Sequence, residues 1–260
     1  MEFLLYALAG ATVGFIVGIT GIGGGSLMTP LLLMFGIPPH VAVGTDLLYA
    51  SITKASGVVA HHKQRTIRWP ITGLLALGSI PAAILTGLAL MYYFTDYKQY
   101  THVLTTSLGV MLIITAALLL FRSKLQQFAS NQAGEKESFI QRHRAAITVI
   151  SGIFLGVFVT LSSVGAGAIG TAILLVLYPA LRSINIVGTD LAHAVPLTTV
   201  GGLLHLSMGN VDYALLAALL VGSLPAIHFG TKIGNRLPDN VLRPALASLL
   251  MIIGAKYIFF

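Results

Sequence analysis

Apolar residues run in long unbroken blocks along the chain, from about Phe3 to Ile19, Leu27 to Phe35, Val41 to Ala60, Ile71 to Phe94 and Val103 to Phe121. A second set follows, from about Ala145 to Leu161, Ala168 to Tyr178, Ile184 to Leu206, Tyr213 to Phe229 and Val241 to Phe260. A helix needs about 20 such residues to cross a bilayer. The blocks are continuous rather than alternating, which disfavours a barrel built from strands of about ten residues. The second block of each set is short, and at 1.5 Å per residue it does not cover about 30 Å of hydrocarbon. It is expected to be tilted, a half-helix or re-entrant. The first block is expected to remain as a helix rather than be cleaved, since Glu2 stands where a signal peptide carries basic residues.

Composition sharpens the same picture. Of 260 residues, 56% are hydrophobic and 9% are charged, against about 25% charged in a soluble domain. Mean hydropathy is +0.89. The lipid bilayer is therefore the main partner of the surface. The excess of 15 Lys and Arg over 8 Asp and Glu is a topology signal here, not a nucleic-acid footprint. Cysteine is absent from the sequence, which excludes disulfides, thiolate nucleophiles and cysteine-held zinc or iron–sulfur centres.

The longest polar stretch, Arg122 to Arg144, divides the chain into a repeat at 1–121, a cytoplasmic linker at 122–144 and a second repeat at 145–260. A shift of 144 positions lays Gly21 and Gly23 on Gly165 and Gly167, and Val43-Gly44-Thr45-Asp46-Leu47 on Val187-Gly188-Thr189-Asp190-Leu191. It also lays His61 on His205, and Gly78-Ser79-Ile80-Pro81-Ala82 on Gly222-Ser223-Leu224-Pro225-Ala226. With five segments per half, Lys63, Arg65, Arg68, Arg122, Lys124, Lys136, Arg142, Arg144, Arg182, Lys232, Arg236 and Arg243 fall on one side, and Lys98 and Lys256 on the other. The crowded side reads as cytoplasmic, with both termini outside. Repeat-equivalent loops carry opposite charge patterns: His61 to Arg68 is basic and His205 to Asp212 is not. The fold class expected is an all-α polytopic membrane protein made of two inverted-topology repeats of about five segments each, an architecture of transporters. Trp69 inside, and Tyr92, Tyr93, Tyr97 and Tyr100 outside, suit interfacial belts.

Candidate chemistry sits where polarity interrupts the blocks. Gly23, Gly24, Gly25 and Ser26 precede the second block, and Gly165 and Gly167 occupy the matching turn. Glycines at a helix start let backbone N–H groups approach an anion, although they also serve tight turns and close helix contacts. Ser162, Ser163 and Thr171 could add hydroxyls. Asp46 and Asp190, each inside Gly-Thr-Asp-Leu, read either as caps of a helix start or as a proton or ion relay. Thr45 and Thr189 would then donate to substrate or carboxylate. Lys54 is the one basic residue inside a block, a candidate ligand for an anion, with Thr198 as its counterpart. Pro196 is expected to break or kink its helix. His193, near Asp190, is the better histidine for a relay, while His61 and His205 suit helix ends.

In order and duplication, the Gly-Ile-Gly-Gly-Gly-Ser-Leu opening with Pro30, Gly44-Thr45-Asp46 and the Gly78-Ser79-Ile80-Pro81 turn resemble the TauE/SafE sulfite exporter family of membrane permeases, over nearly the whole chain. The resemblance implies a prokaryotic inner-membrane transporter of small sulfur oxyanions or organosulfonates, such as sulfite, sulfate, thiosulfate or sulfoacetate, and is compatible with coupling to protons. It implies no enzyme activity, no cofactor and no metal. The residues alone reach a transporter of a small anion, with a passive anion channel as the alternative. An intramembrane enzyme is weakly supported, because the histidines are dispersed and Ser26 lacks a protease motif.

Overall fold

The computed structural model describes residues 2–20, 27–94, 96–132, 142–233 and 239–259. Among them are eleven helices and no strand. They are α1 (Glu2–Thr20), α2 (Met28–Met34), α3 (Pro39–Lys63), α4 (Trp69–Tyr93), α5 (Tyr97–Leu120), α6 (Arg122–Gln132), α7 (Arg144–Ser162), α8 (Ala168–Leu177), α9 (Ser183–Ser207), α10 (Tyr213–Ile233) and α11 (Asp239–Phe259). Prolines in the first turn start α3 and α4, where a missing N–H costs nothing. The Asp96 carboxylate starts α5 by accepting the Lys98 N–H at 2.7 Å. At Pro196 the helix does not break: α9 runs through it, and the Thr198 and Thr199 hydroxyls return to the Ala194 and Val195 carbonyls. Part of the polar stretch read as a linker forms α6.

Among the described residues, α1, α4, α5, α7 and α10 are long and apolar enough to cross a membrane. Burial is arranged as lipid demands. Leu77, Leu85, Ile150 and Val221 lie on the outside, each more than 60% exposed, while Thr45, Asp46, Asp190 and His193 are buried. The protein is a polytopic, all-helical membrane protein. α3 and α9 have 25 residues each and fall short on hydropathy because the buried polar groups concentrate on them. α2 has seven residues and α8 ten, about 10 and 15 Å of helix.

The helix limits repeat. α3 and α9 begin and end 144 positions apart, whereas the contacting glycines of α1 and α7 stand 142 apart. The close contacts follow the same numbers. Gly10 and Gly14 of α1 lie against the backbone of Leu219 and Ser223, and Gly152 and Gly156 of α7 lie against that of Leu75 and Ser79. The match at 144 is therefore two residues off at its start. At 142, Gly23 and Gly25 fall opposite Gly165 and Gly167, and Thr29 opposite Thr171; the two extra residues lie between Thr171 and Ser183.

The order of these contacts gives helix directions. α1 is parallel to α10, and α4 is parallel to α7. Thr72 and Ser79 of α4 meet Thr189 and His193 of α9 in ascending order, so these helices are parallel too. α3 and α9 are antiparallel at the centre: Gly44 meets His205, Ser51 meets Thr199 and Gly57 meets Leu191. α5 and α11 are also antiparallel, Gly109 lying on Ile258 and Ile113 on Gly254.

Candidate functional site

Two pins join the ends of the central pair to the opposite half. The Thr45 hydroxyl accepts the Asp212 N–H at 3.1 Å, and the Thr189 hydroxyl accepts the Arg68 N–H at 3.0 Å. Thr189 also donates to the Asn185 carbonyl. Both threonines expected as substrate donors thus serve backbone, at opposite ends of the bundle. Beside each pin a histidine packs on the glycine before the threonine, His205 on Gly44 and His61 on Gly188. His205 is held by the Thr160 carbonyl at 2.9 Å and Asn210 at 3.3 Å, and Asn210 donates to the Tyr100 hydroxyl at 2.6 Å. His61 meets Thr66 at 2.8 Å.

Between the pins lies a cluster of buried polar side chains on α3 and α9. Asp46 and Asp190 stand seven residues beyond the first residues of their own helices, Pro39 and Ser183, so neither caps the helix that carries it. Asp46 instead closes the start of α2. Its Oδ2 accepts the Thr29 N–H at 3.2 Å and also the Thr29 hydroxyl, satisfying a donor that a helix start leaves free. Asp190 faces the start of α8 at Gly170, where a side chain would collide with its Oδ1. That start satisfies itself: the N–H groups of Ile169 and Gly170 go to the Gly165 carbonyl, and that of Thr171 goes to Gly167. Thr171, the match of Thr29, turns its hydroxyl back to the Gly167 carbonyl at 2.6 Å. One carboxylate is clamped by its neighbouring helix and the other is not.

Lys54 is 5% exposed, and its ammonium donates at 2.8 Å to the Ala166 carbonyl in the glycine turn between α7 and α8. Gly165 and Gly167 have φ of +118° and +136°, values that side-chain-bearing residues avoid. The turn thus presents a carbonyl to a lysine, while the N–H groups behind it are occupied. Asp190 and Asp46 are the acidic neighbours of Lys54. The side chain that the sequence marks as an anion ligand thus bonds the second glycine turn and has both relay carboxylates as acidic neighbours. Gly23, Gly24, Gly25 and Ser26 lie outside the described residues.

Rings complete the cluster. His193, one turn from Asp190, pairs through Nε2 with the Ser79 hydroxyl at 2.8 Å. Its repeat equivalent is Tyr49, which faces Ser223, the equivalent of Ser79, without closing a hydrogen bond. Ser162 bonds back to the Phe158 carbonyl at 2.6 Å. Ser163 has a left-handed backbone at the end of α7 and faces Asp46 without a hydrogen bond. Among the described residues, Asp46 Oδ1, Asp190 Oδ1, His193 Nδ1, Tyr49 OH, Ser163 Oγ and Ser223 Oγ are buried with no hydrogen-bond partner. So many orphaned polar atoms in one apolar core mark a place built for a polar occupant. The sequence did not single out Thr29, Tyr49, Ser79 or Ser223 as site residues. A signal existed for the last three, because the shift of 144 puts Tyr49 on His193 and Ser79 on Ser223.

The family model for the sulfite exporter TauE/SafE matches residues 6–257. The probable membrane transporter protein YjnA of Bacillus subtilis is 37% identical over 252 residues, covering 96% of this chain and 98% of its own. The probable membrane transporter protein YdhB of the same organism is 31% identical over 261 residues, covering 96% and 100%. A sulfite exporter TauE/SafE family protein 3 of Arabidopsis thaliana is 30% identical over 76 residues, 29% of this chain and 16% of its own. No solved structure matches the chain. With a match that begins in α1 and ends in α11, the chain belongs to the sulfite exporter TauE/SafE family.

Proposed function

We propose that the protein is a secondary transporter that carries a small anion, a sulfur oxyanion or organosulfonate, by alternating access through the buried cluster between α3 and α9. The observation that carries this reading is the Lys54 ammonium, buried with Asp46 and Asp190 as its acidic neighbours and held by the Ala166 carbonyl. An intramembrane charge is costly and marks a pathway, and Lys54 is the one buried lysine or arginine among the described residues. The sulfur chemistry rests on the family name alone.

The mechanism is that of inverted repeats rocking about a central site. α1 and α3 run the same way, so the chain recrosses between them through the segment that contains α2, and each half makes five passes. The halves exchange under the pairing of α1 with α10 and of α7 with α4, and the pins at Thr45 and Thr189 sit at opposite ends. Releasing one pin while keeping the other opens the cluster to one side at a time. The loop charges support a cytoplasmic face at the basic end, with both termini outside. The Bacillus subtilis relatives support a place in the cell membrane of a prokaryote.

The test is uptake into proteoliposomes of sulfite, sulfate, thiosulfate, sulfoacetate and a carboxylate control, with and without a pH gradient. Saturable uptake of one sulfur anion above the carboxylate is expected, and accumulation against a gradient separates a transporter from a channel. Absence of flux for every anion defeats the reading. The topology has its own check, since the sequence carries no native cysteine. Single cysteines at Gln64 and Met208, repeat-equivalent positions, are expected to react with impermeant maleimide from opposite faces. Labelling from one face rules out inverted repeats.

A further inference from the structure

We infer that the two aspartates divide the work, Asp190 taking up and releasing the coupling proton while Asp46, clamped by Thr29, stays a fixed charge. This rests on the transport reading above and deepens it. The starting point is a broken symmetry. The halves agree in Gly-Thr-Asp-Leu, in the threonine pins and in the serines of α4 and α10, yet Asp46 accepts two hydrogen bonds from Thr29 and Asp190 accepts none from Thr171. Donors aimed at a carboxylate hold it ionised, and their absence leaves it free to take a proton.

The groups around each carboxylate point the same way. Asp190 is faced by Lys54 from α3, His193 from its own helix and bare Gly170 from α8, and on α4 Ser79 is already paired with His193. Asp46 is faced by Thr29 from α2, Ser163 from α7, and Lys54 and Tyr49 from its own helix, with Ser223 of α10 beyond Tyr49. Charge counting sets the direction. With both aspartates ionised and Lys54 charged the cluster carries −1, which repels an arriving anion. One proton on Asp190 brings it to zero and leaves Lys54 with one ionised acidic neighbour instead of two when it meets the anion. The only bond formed is O–H at Asp190, and it breaks when the anion leaves. His193 Nδ1, unpaired and one turn away, is the group placed to hand the proton over.

The experiment uses the full-length protein in proteoliposomes, with thiosulfate as a probe that does not itself titrate near neutral pH and sulfite beside it. Accumulation driven by a pH gradient is read separately from exchange of internal for external anion, and the proton-to-anion ratio is read with a trapped pH dye. In the unaltered protein, driven accumulation with about one proton per anion is expected, from the charge count above. Asp190→Asn should lower accumulation to equilibration while exchange stays within about threefold, since the anion's partner Lys54 remains. Thr29→Val should free Asp46 to titrate and raise the ratio towards about two, an effect that loss of packing alone does not produce. Driven accumulation by Asp190→Asn, or an unchanged ratio in a Thr29→Val variant that still exchanges, overturns the inference. Exchange in the unaltered protein without any pH drive overturns it while leaving the transport reading in place, and no flux at all removes both.

Discussion

Replacing Lys54 by methionine is expected to cut anion uptake by the reconstituted protein at least about a hundredfold, equal to roughly 2.7 kcal/mol. Methionine keeps nearly the length of the lysine stem and removes the charge. Two unit charges at 4 Å interact by about 4 kcal/mol at an effective dielectric of 20, so losing the one cation that faces the anion exceeds the threshold with margin. The remaining cluster is worse than neutral, because Asp46 and Asp190 stay in it without the lysine that neighboured both. Folding should survive. The change frees the Ala166 carbonyl from one hydrogen bond, a loss of about 1 kcal/mol, and removes a buried charge whose desolvation was itself costly. Initial rates at matched protein density, with size-exclusion profiles as the folding control, decide the point. Uptake within about threefold of the unaltered protein would take Lys54 out of the site.

The helices were legible because hydropathy is a one-dimensional signal. The block Val41 to Ala60 became Pro39–Lys63, and Ile71 to Phe94 became Trp69–Tyr93. Asp46, Lys54, Asp190 and His193 stood out for the same reason, as polar residues inside apolar blocks. Their partners did not. That Thr29 clamps Asp46 while Thr171 turns back to Gly167 depends on a turn two residues out of register with the rest of the repeat. A shift of 144 matched Thr29 with Ile173 and hid the comparison. The roles of Thr45 and Thr189 were likewise out of reach, since their partners, the N–H groups of Asp212 and Arg68, belong to loops 167 and 121 residues away. A threonine next to an intramembrane aspartate looks like a ligand until the backbone it serves is in view.

Substituting Gly222 with leucine is expected to cause the largest loss of stability of any single change considered, more than about 3 kcal/mol, the top of the usual range for an overpacked core. A Cβ there would run into the carbonyl oxygen of Ala7, and at the corresponding Gly78 into that of Val149. Both obstacles are backbone, so the helices themselves must separate. Gly73, in the same helix as Gly78, has open space around it. Gly73→Ala should be neutral or stabilising by up to about 1 kcal/mol, through helix propensity. Thermal unfolding in detergent, followed by loss of the monodisperse peak, is expected to rank Gly222→Leu and Gly78→Leu far below the unaltered protein and Gly73→Ala at or above it. Similar midpoints for Gly73→Ala and Gly78→Leu would mean that these helices do not pack through their glycines. The milder Gly222→Ala and Gly78→Ala test function through the same contact. Each glycine directly precedes a serine of the buried cluster, Ser223 opposite Tyr49 and Ser79 bonded to His193. Close approach of α10 to α1 and of α4 to α7 therefore sets where those hydroxyls stand. Even a variant that folds should lose uptake, and the loss through Gly78→Ala should fall on proton-driven accumulation, because its neighbour Ser79 holds the ring beside Asp190.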